Sequence, residues 1–126
     1  MGWNFDSVGM QVVFSRSIPK IVRDKARSNI ETFLAANGCS FDDLAAFVVH
    51  PGGTKVMDAY RDALPLPDAH FASAQSVLRD YGNMSSPTVL FVLDDVMKAK
   101  TLDPGSTALV TALGPGFSSE SLLLQF

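Results

Sequence analysis

Residues 45–49 (AAFVV) constrain the fold most, because they form an apolar run without a polar interruption. Such a short run is typical of a strand that is covered on both faces, as in the parallel sheets of α/β proteins. The run is followed at once by the sequence HPGG at 50–53, which cannot continue a strand. The sequence therefore predicts a buried strand whose carboxyl end carries a histidine and then a glycine-rich turn.

Further elements are predicted on both sides of this strand. A β-branched, apolar segment predicts an earlier strand over 9–14, and Pro19 suits the first turn of a helix that ends before Asn37. Three more helices are predicted over 53–64, 69–80 and 87–100, and two strands over 107–113 and 119–124. The order β-α-β-α-α-α-β-β predicts an α/β domain, in which a mixed sheet with a terminal β-hairpin is covered by helices.

The last of these helices has an unusually apolar beginning. Ser85 or Ser86 is a candidate N-cap, and Pro87 suits the first helical turn. Residues 89–93 (VLFVL) are apolar on every side, whereas 94–100 are amphipathic. Because a helix that is apolar all round belongs in an interior, we predict a central, buried helix here.

Composition argues against several classes of protein. The chain has 126 residues, 47% of them hydrophobic and 18% charged, which argues against disorder. A formal net charge of −3 makes nucleic acid an unexpected partner, and no apolar run reaches the roughly 18 residues of a membrane span. A single cysteine, Cys39, excludes a disulfide within the chain and suits the reducing cytoplasm. His50 and His70 stand far apart without further ligands nearby, so no metal site is predicted.

Two polar residues are candidates for chemistry. His50 follows a buried strand, and ligands usually bind at the strand ends of α/β sheets. A histidine that merely finishes the strand is the alternative. Asn83 precedes the apolar helix, where capping of that helix is the alternative to a catalytic role.

Three motifs occur in order along the chain: HPGG at 50–53, YGNMSS at 81–86 and GPG at 114–116. Together with the segment 9–19, they resemble the type III polyketide synthases, the chalcone and stilbene synthase family. The resemblance covers nearly the whole chain and implies the C-terminal half of a thiolase fold, which consists of two similar α/β halves. The chain would then be a single domain over 1–126.

The resemblance implies a Cys-His-Asn catalytic triad, of which this chain supplies His50 and Asn83. Cys39 does not match the nucleophile, and in its loop we expect a small buried or half-exposed thiol. The nucleophile is therefore expected upstream of Met1, in an N-terminal half. In the implied reaction, the cysteine takes an acyl group from a coenzyme A thioester, and malonyl-CoA is decarboxylated beside it. His50 and Asn83 would donate hydrogen bonds to the enolate that forms.

Binding residues also follow from the resemblance. Lys55 matches a lysine that helps bind the coenzyme A phosphates, with an ordinary surface lysine as the alternative. Gly52 and Gly53 would let the backbone approach the pantetheine arm. The residues that would border the reactive centre and the cyclisation pocket are Ser85, Leu113, Gly114, Pro115, Gly116 and Val12, and Trp3 is a further candidate. Leu113 and Val12 stand where plant enzymes usually carry aromatic residues, so we expect a microbial enzyme with a product other than chalcone or stilbene.

The implied function is that of an acyltransferase without a bound cofactor, whose substrates are malonyl-CoA and an acyl-CoA starter. The chain alone is predicted to be inactive and to form a homodimer that hides the face meant for the N-terminal half. A ketoacyl synthase III-type condensing enzyme is an alternative with the same triad, although the HPGG and GNMSS strings favour the polyketide branch. A non-catalytic binding module is the alternative from another class, and the gene sequence upstream of Met1 would decide between them.

Overall fold

The computed structural model describes residues 2–13, 15–114, 116 and 118–126. The strands are β1 (Gly2–Asp6), β2 (Gly9–Val13), β3 (Leu44–Val49), β4 (Thr107–Leu113) and β5 (Ser119–Gln125). The helices are α1 (Ile18–Ala36), α2 (Thr54–Ala63), α3 (Ala72–Tyr81) and α4 (Pro87–Lys98). Short 3-10 helices precede β3 and α3, at Phe41–Asp43 and Asp68–Phe71.

The main sheet has the order β3-β4-β5, with β4 in the middle. Strand β4 is parallel to β3 and antiparallel to β5, so the mixed sheet and the terminal hairpin predicted from the sequence are confirmed. The apolar run is buried as expected, since Phe47, Val48 and Val49 are fully inaccessible to solvent. Parallel pairing requires a crossover, which here consists of α2, α3 and α4.

The helices pack on this sheet and on one another. Helix α1 contacts α2, while α3 contacts α4 and both lie against β3. Phe47 holds the centre, because its ring meets Tyr60 at 6.0 Å and Phe71 at 5.5 Å, both edge to face. Burying an aromatic side chain of this kind stabilises a fold by about 1.5–3 kcal/mol, and the ring geometry adds to that.

The beginning of the chain differs from the prediction. Strand β1 was not predicted, and it pairs with β2 in a two-stranded antiparallel sheet of its own. The connection is Ser7-Val8, where the Val8 N–H donates to the Asp6 carboxylate at 2.8 Å. This connection lacks the Asn-Gly or Asp-Gly pair that usually marks a two-residue hairpin, and this explains why the sequence pattern missed it. Every residue of β1 is exposed.

Helix α4 is buried on one side only. Val92 is 0% exposed, whereas Leu90 is 63% and Phe91 41% exposed. The prediction of a central helix is thus met on the face that contacts β3 and α3. The opposite apolar face is largely exposed, although the Phe91 ring packs on Tyr81. Ser86 holds the N-cap position, as expected, but its side chain makes no capping hydrogen bond.

Of two smaller predictions, one is met in part and the other in full. The helix predicted over 69–80 begins as the 3-10 turn Asp68–Phe71 and becomes α-helical at Ala72. Cys39 is half-buried, as predicted, with its sulfur 3.6 Å from the Asn37 carbonyl oxygen. None of the helices in the described ranges has both the length and the hydropathy of a membrane-spanning segment.

Candidate active site

The parallel pairing of β3 and β4 brings two of the sequence motifs to one edge of the sheet. His50 follows the last residue of β3, and Gly114 follows the last residue of β4. Because parallel strands end on the same side, both motifs lie at the carboxyl edge, where α/β proteins usually bind ligands.

A cavity of about 880 Å³ opens at this edge. It brings together seven of the residues singled out in the sequence: His50, Gly52, Lys55, Asn83, Ser85, Leu113 and Gly114. Trp3 lines it as well. Gly53 and Gly116 do not line it. Pro115 and the side chain of Val12 lie outside the described part of the structure, although the Val12 backbone pairs with Trp3.

His50 presents its imidazole to this cavity. A Cβ placed on Gly52 would lie 3.9 Å from both Cδ2 and Nε2 of the ring, so the ring rests beside that glycine. Burial lowers the pKa of the His50 imidazole below its usual value of 6.5, because desolvation disfavours the cation. Among the described residues, neither ring nitrogen has a hydrogen-bond partner. At pH 7 the ring is therefore neutral, with one nitrogen to donate and one to accept.

Asn83 reaches the cavity through a turn at the end of α3. Gly82, with φ of 72°, ends the helix in a conformation that favours glycine. The Asn83 Nδ2 group donates to the Gly52 carbonyl oxygen at 3.1 Å, and the Ser85 N–H donates to Asn83 Oδ1 at 2.9 Å. A carbonyl must meet the amide nitrogen and an N–H must meet the amide oxygen, so these two bonds determine the orientation of the amide. One amide N–H is left for a ligand.

Gly52 links the two polar side chains. It lies against the His50 ring and accepts the hydrogen bond of Asn83. Both side chains therefore lie beside Gly52 on the wall of one cavity. Fixed N–H donors can stabilise a developing oxyanion.

Gly53 is needed for its backbone conformation, and not because a side chain would lack space. Its φ of 158° lies in a region that side chains rarely adopt, and nothing would lie within 4 Å of a Cβ there. The residue is the N-cap of α2, and the turn that it makes aims the first turn of this helix at the cavity. Lys55 lies in that turn, exposed and on the cavity wall, next to a helix N-terminus that favours anions.

The lining residues that were not predicted from the sequence include Arg16, Ser118 and Glu120. Arg16, just before α1, is a second cation besides Lys55 in the lining, and Glu120 comes from β5. Ser118 lies close to Gly114, where an added Cβ would be 3.0 Å from its hydroxyl oxygen. No sequence signal marks these residues, because each reaches the cavity from a separate element.

The cavity has donors but no nucleophilic sulfur. Cys39, the one cysteine of the sequence, is not among its lining residues. In the described ranges no three His, Cys, Asp or Glu side chains are grouped as metal ligands. His70 instead pairs through Nε2 with the Leu44 carbonyl oxygen at 2.9 Å, which gives it a structural role.

Comparison with known proteins shows the family of the chain. A family model described as "Chalcone and stilbene synthases, C-terminal domain" matches residues 2–126. A putative chalcone synthase of Bacillus subtilis (strain 168) is 44% identical over 126 residues, which are 100% of this chain and 34% of that protein. A 1,3,6,8-tetrahydroxynaphthalene synthase of Streptomyces peucetius subsp. caesius is 40% identical, over 100% of this chain and 33% of that protein.

Solved structures show the same likeness. The crystal structure of PKS-I from the brown alga Ectocarpus siliculosus superposes with a TM-score of 0.88 at 28% identity, over 98% of this chain and 34% of that one. The α/β arrangement predicted from the sequence, the C-terminal half of a thiolase-like fold, is confirmed by this match. The chain spans about a third of the length of the curated relatives that it matches.

Proposed function

The chain belongs to the chalcone and stilbene synthases, the type III polyketide synthases, as their C-terminal domain, and we propose that it supplies His50 and Asn83 to a decarboxylative condensing site. The full-length enzyme is an acyltransferase that extends an acyl-CoA starter with malonyl-CoA. The observation that supports this most is the common position of the two side chains beside Gly52 in one cavity.

The first step is acyl transfer to a cysteine outside this chain. The neutral imidazole of His50 takes the thiol proton, and the thiolate attacks the carbonyl carbon of the starter thioester. The carbon–sulfur bond to coenzyme A breaks, and the released coenzyme A thiolate is protonated. The lowered pKa of His50 supports this role, because only the neutral ring can accept the proton.

The second step is decarboxylation of malonyl-CoA. The bond to its carboxylate carbon breaks, carbon dioxide leaves, and the electron pair passes into the thioester as an enolate. The ring N–H of His50 and the free amide N–H of Asn83 donate to the enolate oxygen. The enolate carbon then attacks the acyl group on the cysteine, a carbon–carbon bond forms, and the cysteine leaves as thiolate. The product is a β-ketoacyl-CoA, which the same steps extend.

Lys55 and Arg16 are proposed to bind the phosphates of coenzyme A. Both cations lie on the cavity wall, and Lys55 stands in the first turn of α2, where the helix dipole adds to its charge. Gly52 and Gly53 would line the path of the pantetheine arm between these cations and His50. No bound cofactor takes part. Substrates of this kind and a free cysteine are compatible with a cytoplasmic enzyme.

The product pocket is proposed to lie on the opposite wall. Trp3, Ser85, Leu113 and Gly114 line the cavity. The family resemblance adds Val12, Pro115 and Gly116 to the proposed border. Leu113 and Val12 are smaller than the aromatic residues that the plant enzymes usually carry. The product is therefore proposed to differ from chalcone and stilbene.

The function is tested by supplying the full-length protein with malonyl-CoA and a panel of acyl-CoA starters. We expect release of carbon dioxide and coenzyme A, and products that mass spectrometry identifies as starters extended by two-carbon units. A full-length protein that binds these thioesters and releases carbon dioxide with none of them would contradict the proposal.

The remaining part of a longer enzyme is proposed to cover the exposed apolar residues. Leu90, Phe91 and Met97 of α4 are exposed together with Tyr81, which packs on Phe91 at 5.1 Å between ring centroids. The hairpin adds Trp3, Phe5, Val8, Met10 and Val13. Clusters of exposed large apolar side chains often mark interfaces. The matched relatives have about twice this chain's length in addition to the part they share.

The chain alone is therefore expected to self-associate, as a homodimer that covers the α4 face. Size-exclusion chromatography with light scattering should give a mass above that of the 13.5 kDa monomer. The double variant Leu90→Lys, Phe91→Lys should shift the mass toward the monomer, because charges on the face oppose burial. A wild-type chain that stays monomeric at tens of micromolar would contradict this expectation.

A further inference from the structure

Thr88, in the first turn of α4, is a buried polar residue that the steps above do not use. It is 0% exposed. Its Oγ1 donates to the Ser85 carbonyl oxygen at 2.7 Å and accepts the Met84 N–H at 2.8 Å. The Thr88 backbone N–H donates to the same carbonyl at 3.0 Å. One side chain therefore bonds to the N–H of Met84 and to the carbonyl of Ser85, two residues of the loop after Asn83.

The backbone that Thr88 holds is strained. Ser85 has φ of 64°, which only a few per cent of non-glycine residues adopt and which costs about 1–3 kcal/mol. A conformation of this kind persists only when neighbouring contacts enforce it. The hydroxyl and the backbone N–H of Thr88 both bond the carbonyl of this residue, and they are the contacts that the structure provides.

Ser85, the residue with the strained φ angle, is also the one that orients Asn83. The Ser85 N–H donates to Asn83 Oδ1, and this bond decides which end of the amide is oxygen. A chain of contacts thus runs from the Thr88 hydroxyl through Met84 and Ser85 to the amide that faces the cavity. If the 83–85 loop relaxed, the Asn83 amide would lose the hydrogen bond from the Ser85 N–H. The remaining bond to the Gly52 carbonyl would not by itself fix the direction of the amide.

We propose that Thr88 is a positioning residue, whose hydroxyl holds the 83–85 loop so that the Asn83 amide points its free N–H at the enolate oxygen. The inference rests on the proposed function of Asn83. It predicts a specific effect, because Asn83 is needed for decarboxylation and not for acyl transfer to the cysteine. A role in helix stability alone would lower the melting temperature and leave the balance of the two steps unchanged.

The test measures both steps in the full-length enzyme for Thr88→Val, which keeps the shape and removes the hydroxyl. We expect kcat for malonyl-CoA decarboxylation to fall about 10- to 100-fold, the range for misplacing a catalytic group by a fraction of an ångström to an ångström. Single-turnover acylation of the cysteine should stay near the wild-type rate. Thr88→Ser, which retains the hydroxyl, should recover most of the decarboxylation rate.

Thr111 offers a matched control for stability. Its hydroxyl is likewise buried, and it bonds to β5 through the Glu120 carbonyl and the Ser121 hydroxyl. Thr111→Val should lower the melting temperature by a similar amount without changing the ratio of decarboxylation to acylation. If Thr88→Val failed to fold, Thr88→Ala would replace it with the same expectation.

The outcomes separate this inference from the function on which it rests. If Asn83→Ala loses decarboxylation and folded Thr88→Val does not, the positioning role is wrong and the proposed function stands. Equal losses in acylation and decarboxylation for Thr88→Val, or no recovery in Thr88→Ser, would also overturn the positioning role. If Asn83→Ala keeps its decarboxylation rate, the proposed function itself fails.

Discussion

Replacing His50 with alanine in the full-length enzyme is expected to lower malonyl-CoA decarboxylation by roughly 10³-fold. The substitution removes a proposed oxyanion donor, and losing such a donor costs about 10²–10³ in rate. It also removes the proposed base that accepts the thiol proton. Acyl transfer to the cysteine should therefore fail as well. Carbon dioxide release from malonyl-CoA and single-turnover acylation from a starter thioester measure the two steps separately.

The reactivity of the cysteine nucleophile is a second measurement on the His50→Ala variant. In His50→Ala, the pH profile of cysteine alkylation by iodoacetamide should shift to higher pH, because the thiolate loses the imidazole that stabilises it. His70→Gln is the matched control, since His70 bonds to the Leu44 carbonyl and lies outside the cavity. Unchanged carbon dioxide release together with an unchanged alkylation profile in His50→Ala would refute both roles assigned to this residue.

Replacing Asn83 with alanine is expected to affect one step only. The variant loses the amide donor, so decarboxylation should fall by about 10²–10³, which is the effect of removing one oxyanion-hole donor. Acylation of the cysteine should persist, because neither the thiol nor His50 depends on this amide for proton transfer. Starter-loaded enzyme should then accumulate, and mass spectrometry of the intact protein detects it as an acyl adduct.

Asn37 is the matched control for this variant. Its side chain also donates to a backbone carbonyl, that of Phe33 at 2.8 Å, but it lies at the end of α1 and away from the cavity. Asn37→Ala should keep both steps. Loss of acylation in Asn83→Ala to the same extent as decarboxylation would show that the residue supports the whole site and is not a specific donor to the enolate.

His50 and Asn83 are held in place by different parts of the fold. His50 stands on the end of a buried strand, so its position depends on the sheet. Asn83 stands on a turn between α3 and α4, and two backbone groups orient it. The histidine is therefore expected to tolerate changes in the turn, whereas the asparagine depends on contacts that single substitutions there remove.

Much of the fold was open to prediction because it depends on local pattern. The run of apolar residues at 45–49, the proline at the start of α1 and the glycines after strands and helices are short-range signals, and the elements that they predicted are present. The missed hairpin shows the limit of this approach. Strand β1 has exposed side chains throughout, so it carries no burial pattern, and its connection to β2 lacks the usual turn residues.

The sequence predicted several of the residues that line the cavity, but not how they are arranged in space. His50, Asn83, Lys55 and Ser85 were named from motifs, and all line the cavity. Arg16 and Glu120 carry no motif, and neither does Thr88, whose role rests on hydrogen bonds to a loop that precedes its helix. Gly53 was named for the pantetheine arm, which stays a prediction, and the structure adds that its backbone conformation makes it the N-cap of α2.

The sequence by itself determined the order of the elements from β2 onward, the buried strand that ends at His50 and the family to which the chain belongs. These depend on residue type and on spacing along the chain. Only the tertiary structure decided that the Asn83 amide bonds to Gly52, a residue 31 positions away, and that the Thr88 hydroxyl bonds to Met84 and Ser85 in the loop after Asn83. Hydrogen bonds are directional and short, so which groups meet depends on how the helices return to the edge of the sheet, and no local pattern encodes that path.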